Sequence, residues 1–103
     1  MIIKLKSKIC DIKVTGVDAS CSGSIEIDSA LMKMAGIVPD EQVHVLNVSN
    51  GERFITYAIG GKGIHVYGAA AKLVEVGDEL IILSYHLVDG GSNSYPKIVS
   101  WKC

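Results

Sequence analysis

No stretch of this chain holds the roughly 18 consecutive apolar residues that a membrane-spanning helix requires, and it contains no basic run. A formal net charge of −1 over 103 residues gives no electrostatic reason to expect a nucleic acid or an anionic membrane as partner. The opening Met1-Ile2-Ile3-Lys4-Leu5-Lys6 alternates charged and apolar residues. It lacks the apolar core and cleavage signal of a secretory peptide, so a cytoplasmic location is expected. Cysteine is scarce. Cys10, Cys21 and Cys103 are odd in number and form no CxxC pair, which indicates neither a disulfide framework nor a metal site. His44, His65 and His86 stand apart in sequence, each within a strand-like stretch, and are expected to be structural or exposed. There is no HExxH, no GxSxG, no P-loop and no strand–GxGxxG–helix unit, so the common hydrolase, NTPase and dinucleotide patterns do not apply.

What remains is the sequence of a small β-rich protein. One domain spanning residues 1–103 is expected, and a chain of this size gains from association between subunits. Ile2 to Leu5 and Ile9 to Thr15 read as strands, as do the segments around Ile25 and Ile27, Val43 to Val48, Phe54 to Ile59, Ile64 to Tyr67, Glu79 to Val88 and Lys97 to Trp101. Asn50-Gly51 is a hairpin-turn signal. Gly60-Gly61-Lys62-Gly63 reads as a flexible turn. One short helix is signalled after Asp28, whose carboxylate can accept the free N–H groups of a first turn. Gly36 can close it in a left-handed conformation, with Ile37 folding back as an apolar clasp. Its Met and Leu residues are expected in the core, and a second helical turn is expected between Ala69 and Val74. Many short strands with one or two short helices predict a mainly β fold, closed or nearly closed into a barrel.

The sequence carries three blocks in order: Gly23-Ser24-Ile25-Glu26-Ile27-Asp28, then Asn47-Val48-Ser49-Asn50-Gly51-Glu52-Arg53-Phe54-Ile55-Thr56-Tyr57, then Gly68-Ala69-Ala70-Ala71. With Lys8 and Lys13-Val14-Thr15 before them, and Val76-Gly77-Asp78 and Ile81-Ile82-Leu83-Ser84-Tyr85 after, they resemble the pyruvoyl-dependent aspartate 1-decarboxylases over roughly residues 1–88. The resemblance implies a double-psi β-barrel assembled as a homotetramer with sites between subunits. It also implies an inactive precursor that cuts itself between Gly23 and Ser24, giving fragments 1–23 and 24–103, with or without an activating partner. In that chemistry the Ser24 hydroxyl attacks the Gly23 carbonyl and the amide becomes an ester. Elimination frees the upstream chain, and hydrolysis of the resulting dehydroalanine, with loss of ammonia, leaves a covalent pyruvoyl group at residue 24. That group would form a Schiff base with the substrate amine and accept the electron pair left by departing carbon dioxide.

The resemblance also implies roles. Thr56 would serve the processing step and line the substrate site, and Tyr57 would return a proton to the carbanion. Arg53 would hold the remaining carboxylate of L-aspartate with a bidentate fork, and Lys8 would add a second positive charge. Gly68, Ala69 and Ala70 are small enough for their backbone to approach the substrate. The product would be β-alanine for pantothenate synthesis. The chain departs from the family pattern at four places: Cys21 stands where a tyrosine is usual, Tyr67 where asparagine is usual, Leu46 where an aromatic residue is common, and Cys10 where histidine is usual. It is also shorter in the Gly60–Gly63 turn and at the C-terminus. Tyr67 is expected to occupy volume released at Leu46 or Cys21. The same chemistry on another small amino acid, and a barrel that keeps the fold without cleaving, are the alternatives that these departures leave open.

Overall fold

A computed structural model describes residues 1–91 and 93–101. Its elements run β1 (Ile2–Lys13), β2 (Gly16–Asp18), β3 (Ser24–Asp28), α1 (Ser29–Ala35), β4 (Gln42–Asn47), β5 (Arg53–Gly61), β6 (His65–Tyr67), a 3-10 helix (Gly68–Leu73), β7 (Glu79–Val88) and β8 (Lys97–Ser100). The fold is mainly β, as expected. The strands form one sheet in the order β2-β6-β3-β5-β4-β7-β1-β8. Among the described residues this pairing leaves β2 and β8 as edges, so the sheet is not closed by a ring of hydrogen bonds. Cys103 lies outside the described residues.

Alternation along the strands sets two faces. Ile9, Val45, Ile82, Ile25, Ile27, Val66 and Ala58 are fully buried and form the core with Leu31, Met32 and Ala35 of α1. Their neighbours in sequence point outward. The two strands expected at the N-terminus are one, because β1 continues through register shifts at Leu5/Ser7 and Ile9/Ile12. Asp11 takes a left-handed φ of 60° at the second shift, the conformation of a bulge residue.

The helix follows its sequence signals. Asp28 accepts hydrogen bonds from the Ala30 and Leu31 N–H groups at 3.0 and 3.3 Å. Gly36 closes the helix at φ 71°, and the Ile37 N–H returns to the Met32 carbonyl at 3.0 Å. Met34 departs from expectation: it points to solvent and is 58% exposed. The second helical turn begins one residue early, at Gly68.

The turn expected at Gly60–Gly63 also differs. Gly60 and Gly61 continue β5, paired in parallel with Ile27 and Asp28. A Cβ on Gly61 would come within 2.3 Å of the Glu26 side chain. These glycines mark close packing across neighbouring strands rather than a flexible loop.

Replacing Asp28 with alanine removes the one oxygen, Oδ1, that accepts both first-turn hydrogen bonds. The expected cost is about 1 kcal/mol of folding stability, read as a lower urea midpoint at fixed protein concentration.

Candidate active site

The region around Ser24 is built from two strand pairings and one close approach. Ser24 opens β3 and lies opposite Tyr67 of β6 in an antiparallel pair. On its other side β3 runs parallel to β5, with Ile25 opposite Ala58. Continuing that register backwards sets Tyr57 beside Ser24 and Thr56 beside Gly23. Ser24 is only 6% exposed.

The close approach comes from Gly68. Its φ is +81°, and a Cβ there would stand 2.5 Å from the Gly23 Cα and 2.7 Å from the Gly23 nitrogen. No side chain fits between these two backbones, and only glycine adopts that φ without strain. The chain before Gly23 is also ordered by a local hydrogen-bond set. Asp18 accepts from the Ser20 N–H at 2.9 Å, from the Ser20 hydroxyl at 2.6 Å and from the Cys21 thiol at 3.4 Å. Those bonds, the Ser20 hydroxyl first, hold the Asp18 carboxyl below its usual range. The hydrogen bond to Asp18, aided by slight burial, pushes the Cys21 thiol up. Cys21 therefore stays a protonated thiol, a poor nucleophile, three residues before Ser24.

The 3-10 helix that carries Gly68, Ala69 and Ala70 is tied down at its far end by the Asn50-Gly51 hairpin. Asn47 is 1% exposed and donates from Nδ2 to the Leu73 carbonyl at 3.1 Å and to Asp78 at 2.8 Å. Asn50 donates to the same Leu73 carbonyl at 3.0 Å. The Asn47 hydrogen bond, with that of the Glu75 N–H, holds the Asp78 carboxyl low. The Asn-Gly and Val-Gly-Asp blocks are therefore scaffold, clamping the helix that presses on Gly23.

Lys8, Arg53 and Tyr57, also singled out from sequence, lie on the outward face. Arg53 and Tyr57 share that face of β5 with Ile55, while Thr56 faces the opposite way. Ile55 pairs with His44, His44 with Leu83, and Leu83 with Lys8, forming one row across β5, β4, β7 and β1. Lys8, Arg53, Tyr57 and Ser24 thus belong to one face. They are not brought together within one chain, because Lys8 is four strands from Ser24 in sheet order. Arg53 is four residues from Tyr57, about 13 Å along the strand. Arg53 Nη2 instead approaches His44 Nδ1 at 3.3 Å, and His44 packs edge-on against Tyr85. A groove of about 400 Å³ lined by Ile3, Glu41, Gln42, His44 and Tyr85 opens beside this row.

Sequence reasoning missed one cluster. Glu26, two residues after Ser24 on the same face, meets His65 Nδ1 at 2.9 Å and accepts from the Tyr67 hydroxyl at 3.1 Å. The His65 hydrogen bond holds the Glu26 carboxyl below its ordinary value; burial opposes this and the Tyr67 bond supports it. Burial first, and then the hydrogen bond to Glu26, raise the pKa of Tyr67. Tyr67 does not take volume released at Leu46, which lies on β4, three strands away. A carboxylate on β3 directly opposite a histidine on β6 was the available signal, but it required the strand register to be seen.

The aspartate decarboxylase family profile matches residues 1–102. The aspartate 1-decarboxylase of Francisella tularensis subsp. holarctica (strain OSU18) is 48% identical over 107 residues, covering 99% of this chain and 96% of that protein. That of Thermoanaerobacter pseudethanolicus is 46% identical, covering 92% and 86%, and that of Haloquadratum walsbyi 51% identical, covering 81% and 75%. The chain belongs to the aspartate decarboxylase family. Decarboxylases are carboxy-lyases, so the enzyme class expected from the sequence blocks stands. No helix among the described residues is long and apolar enough to cross a membrane.

Two predictions follow from this geometry. Gly68→Ala combines a strained φ with a backbone collision, whereas Gly77→Ala (φ +95°) meets nothing within 4 Å. Gly77→Ala should cost only the backbone strain of about 1–3 kcal/mol and Gly68→Ala distinctly more, by urea denaturation at matched protein concentration. The second concerns Glu26, whose folded pKa lies below its ordinary 4.5. The stabilisation it gives is present above the unfolded value and is lost as pH falls through the folded one. Thermal melts across the acid range below pH 4.5 should therefore show wild type losing stability faster than Glu26→Gln.

Proposed function

We propose that this protein converts L-aspartate to β-alanine and carbon dioxide, supplying pantothenate synthesis, after breaking its own chain between Gly23 and Ser24. The observation that carries this reading is the contact of Gly68 with Gly23. It restrains the backbone on the upstream side of the bond, while β6 pairs with Ser24 and β5 with Ile25 just after it. A hydroxyl fixed beside the preceding carbonyl reacts as an intramolecular nucleophile, with the loss of freedom already met by the fold.

In the processing step the Ser24 Oγ bonds to the Gly23 carbonyl carbon, its proton leaves, and the peptide C–N bond breaks as the nitrogen gains a proton. Elimination across Cα–Cβ of residue 24 then releases Gly23 as a carboxylate. One water converts the dehydroalanine to a ketone with release of ammonia. Thr56, alongside Gly23 in the continued register, suits the task of stabilising the attacked oxygen. The fit of residue 24 to a pyruvoyl group rests on its burial, which shields a reactive carbonyl there from bulk water.

When formed, the pyruvoyl group supplies an electron sink for decarboxylation. The chain's own residues bind and orient around it. Tyr57, beside residue 24, is placed to return a proton to the carbon that loses carboxylate. Arg53 and Lys8 supply positive charge for the retained carboxylate of aspartate, and Gly68, Ala69 and Ala70 allow close approach of backbone to substrate. Arg53 and Lys8 lie along the face, away from residue 24 of their own chain, which favours a site completed by a neighbouring copy in a homotetramer. Exposed Ile55 and Tyr57 on that face are the groups such a neighbour would cover.

Denaturing intact-mass measurement tests the reading. Two fragments, 1–23 and 24–103, are expected, with a hydrazine-reactive carbonyl on the larger and β-alanine formed from aspartate. Ser24→Ala should remain one chain. A wild-type chain that stays intact after prolonged incubation, with and without cell extract, overturns the proposal. In protein that has cleaved, Arg53→Ala should raise KM for aspartate by about tenfold or more, the loss of a charge-assisted hydrogen-bond pair.

A further inference from the structure

Glu26 and His65 sit in seats that bare backbone opens for them. A Cβ on Gly61 would lie 2.3 Å from Glu26 Cδ, and a Cβ on Gly16 would lie 2.0 Å from His65 Cδ2. Two glycines on two other strands thus clear the space that these side chains occupy. Both oxygens of the Glu26 carboxylate are engaged: Oε2 by His65 Nδ1 at 2.9 Å and by the Lys62 N–H at 3.4 Å, Oε1 by the Tyr67 hydroxyl at 3.1 Å. The arrangement is a brace across β3 and β6. His65 is directly opposite Glu26, and Tyr67 is directly opposite Ser24, so the Tyr67–Glu26 bond runs diagonally between the two rungs.

The brace stands on one of the two shortest strands of the sheet. β6 has three residues, and its last, Tyr67, leads directly into Gly68 and its contact with Gly23. A strand this short gains little from its own ladder. If Tyr67 shifts, Gly68 shifts with it, and the restraint on Gly23 loosens.

We propose that Tyr67 is a positioning residue for the Gly23–Ser24 bond, held by the Glu26–His65 pair, and that this brace sets the rate at which the chain opens. The inference rests on the reading of that bond as the one that breaks. The brace exchanges no atoms or protons with the reacting groups. It keeps Gly68 against Gly23, and so keeps the Gly23 carbonyl carbon within reach of the Ser24 oxygen.

The test follows conversion of freshly made precursor by intact mass, with a thermal melt on each variant. Tyr67→Phe removes one hydroxyl and keeps the ring, and Glu26→Ala removes both anchors. Each should slow conversion by about tenfold or more, the size of one hydrogen bond to a charged group. Glu26→Gln keeps an acceptor for the Tyr67 hydroxyl and should recover most of the rate. Gly61→Ala, which crowds Glu26 from its seat, should slow conversion as Glu26→Ala does. Conversion at the wild-type rate in Tyr67→Phe overturns the proposal whatever the melting temperature does. Equal slowing in Glu26→Gln and Glu26→Ala overturns it too, since the carboxylate would then act by charge rather than by holding Tyr67. If Glu26→Ala fails to fold, Tyr67→Phe decides alone. A wild-type chain that never opens refutes the cleavage reading itself and the brace's role with it, an outcome distinct from normal opening in the variants.

Discussion

The structure around Ser24 depends on one contact, the backbone of Gly68 against the backbone of Gly23. It needs a positive φ at residue 68 and no Cβ there, and both follow from a single glycine. The surrounding elements hold that contact from both ends. β6 delivers Gly68 from one side, extended at Tyr67 up to the turn. From the other, Asn47 and Asn50 grip the Leu73 carbonyl at the end of the 3-10 helix. Asn47 is a buried amide with its donors used, and removing it would take one hydrogen bond each from the Leu73 carbonyl and Asp78, leaving them to Asn50 and the Glu75 N–H. The hairpin therefore shapes the Gly23–Ser24 region without touching it.

The second organising feature is the division between the faces of the sheet. The inner face is filled by Ile, Val and Leu side chains and explains stability. The outer face carries Lys8, Arg53 and Tyr57 among Ile55, Leu83 and His44. A guanidinium in open water binds a carboxylate weakly, on the order of 1 kcal/mol or less. The same pair gains strength only when water is excluded. Under the proposed function the exposure of this face is thus itself an argument for cover by another subunit, because the single chain offers the charges without the low-dielectric setting that makes them useful.

Much of this was legible in the sequence because it was local. The Asp28 cap, the Gly36 stop, the Asn-Gly hairpin and the span of β7 each depend on neighbours within a few residues. The sequence blocks marked Ser24 and its companions because the family resemblance places them. What was not legible depended on register. Gly60 and Gly61 read as a turn, since two glycines carry no strand signal, yet they are strand glycines pressed by Ser29 and Glu26. Met34 read as core because helix composition alone does not fix which way a seven-residue helix rolls. The separation of Lys8 from Ser24 follows from strand order, which no local pattern encodes.

Tyr67 shows how much a single departure depends on its partners for its meaning. In sequence it is a bulky phenol in place of a small amide, and the natural question is which lost volume it fills. In the structure the question is which partner holds it, and the answer is Glu26. That carboxylate requires His65 opposite it and bare backbone at Gly61, and His65 requires bare backbone at Gly16. Five positions scattered from 16 to 67 therefore form one unit. Removing the Tyr67 hydroxyl leaves Glu26 Oε1 without its partner, and a Cβ at Gly16 or Gly61 collides, whereas the set together satisfies both carboxylate oxygens. The unusual residue is thus held by its companions on β2, β3, β5 and β6.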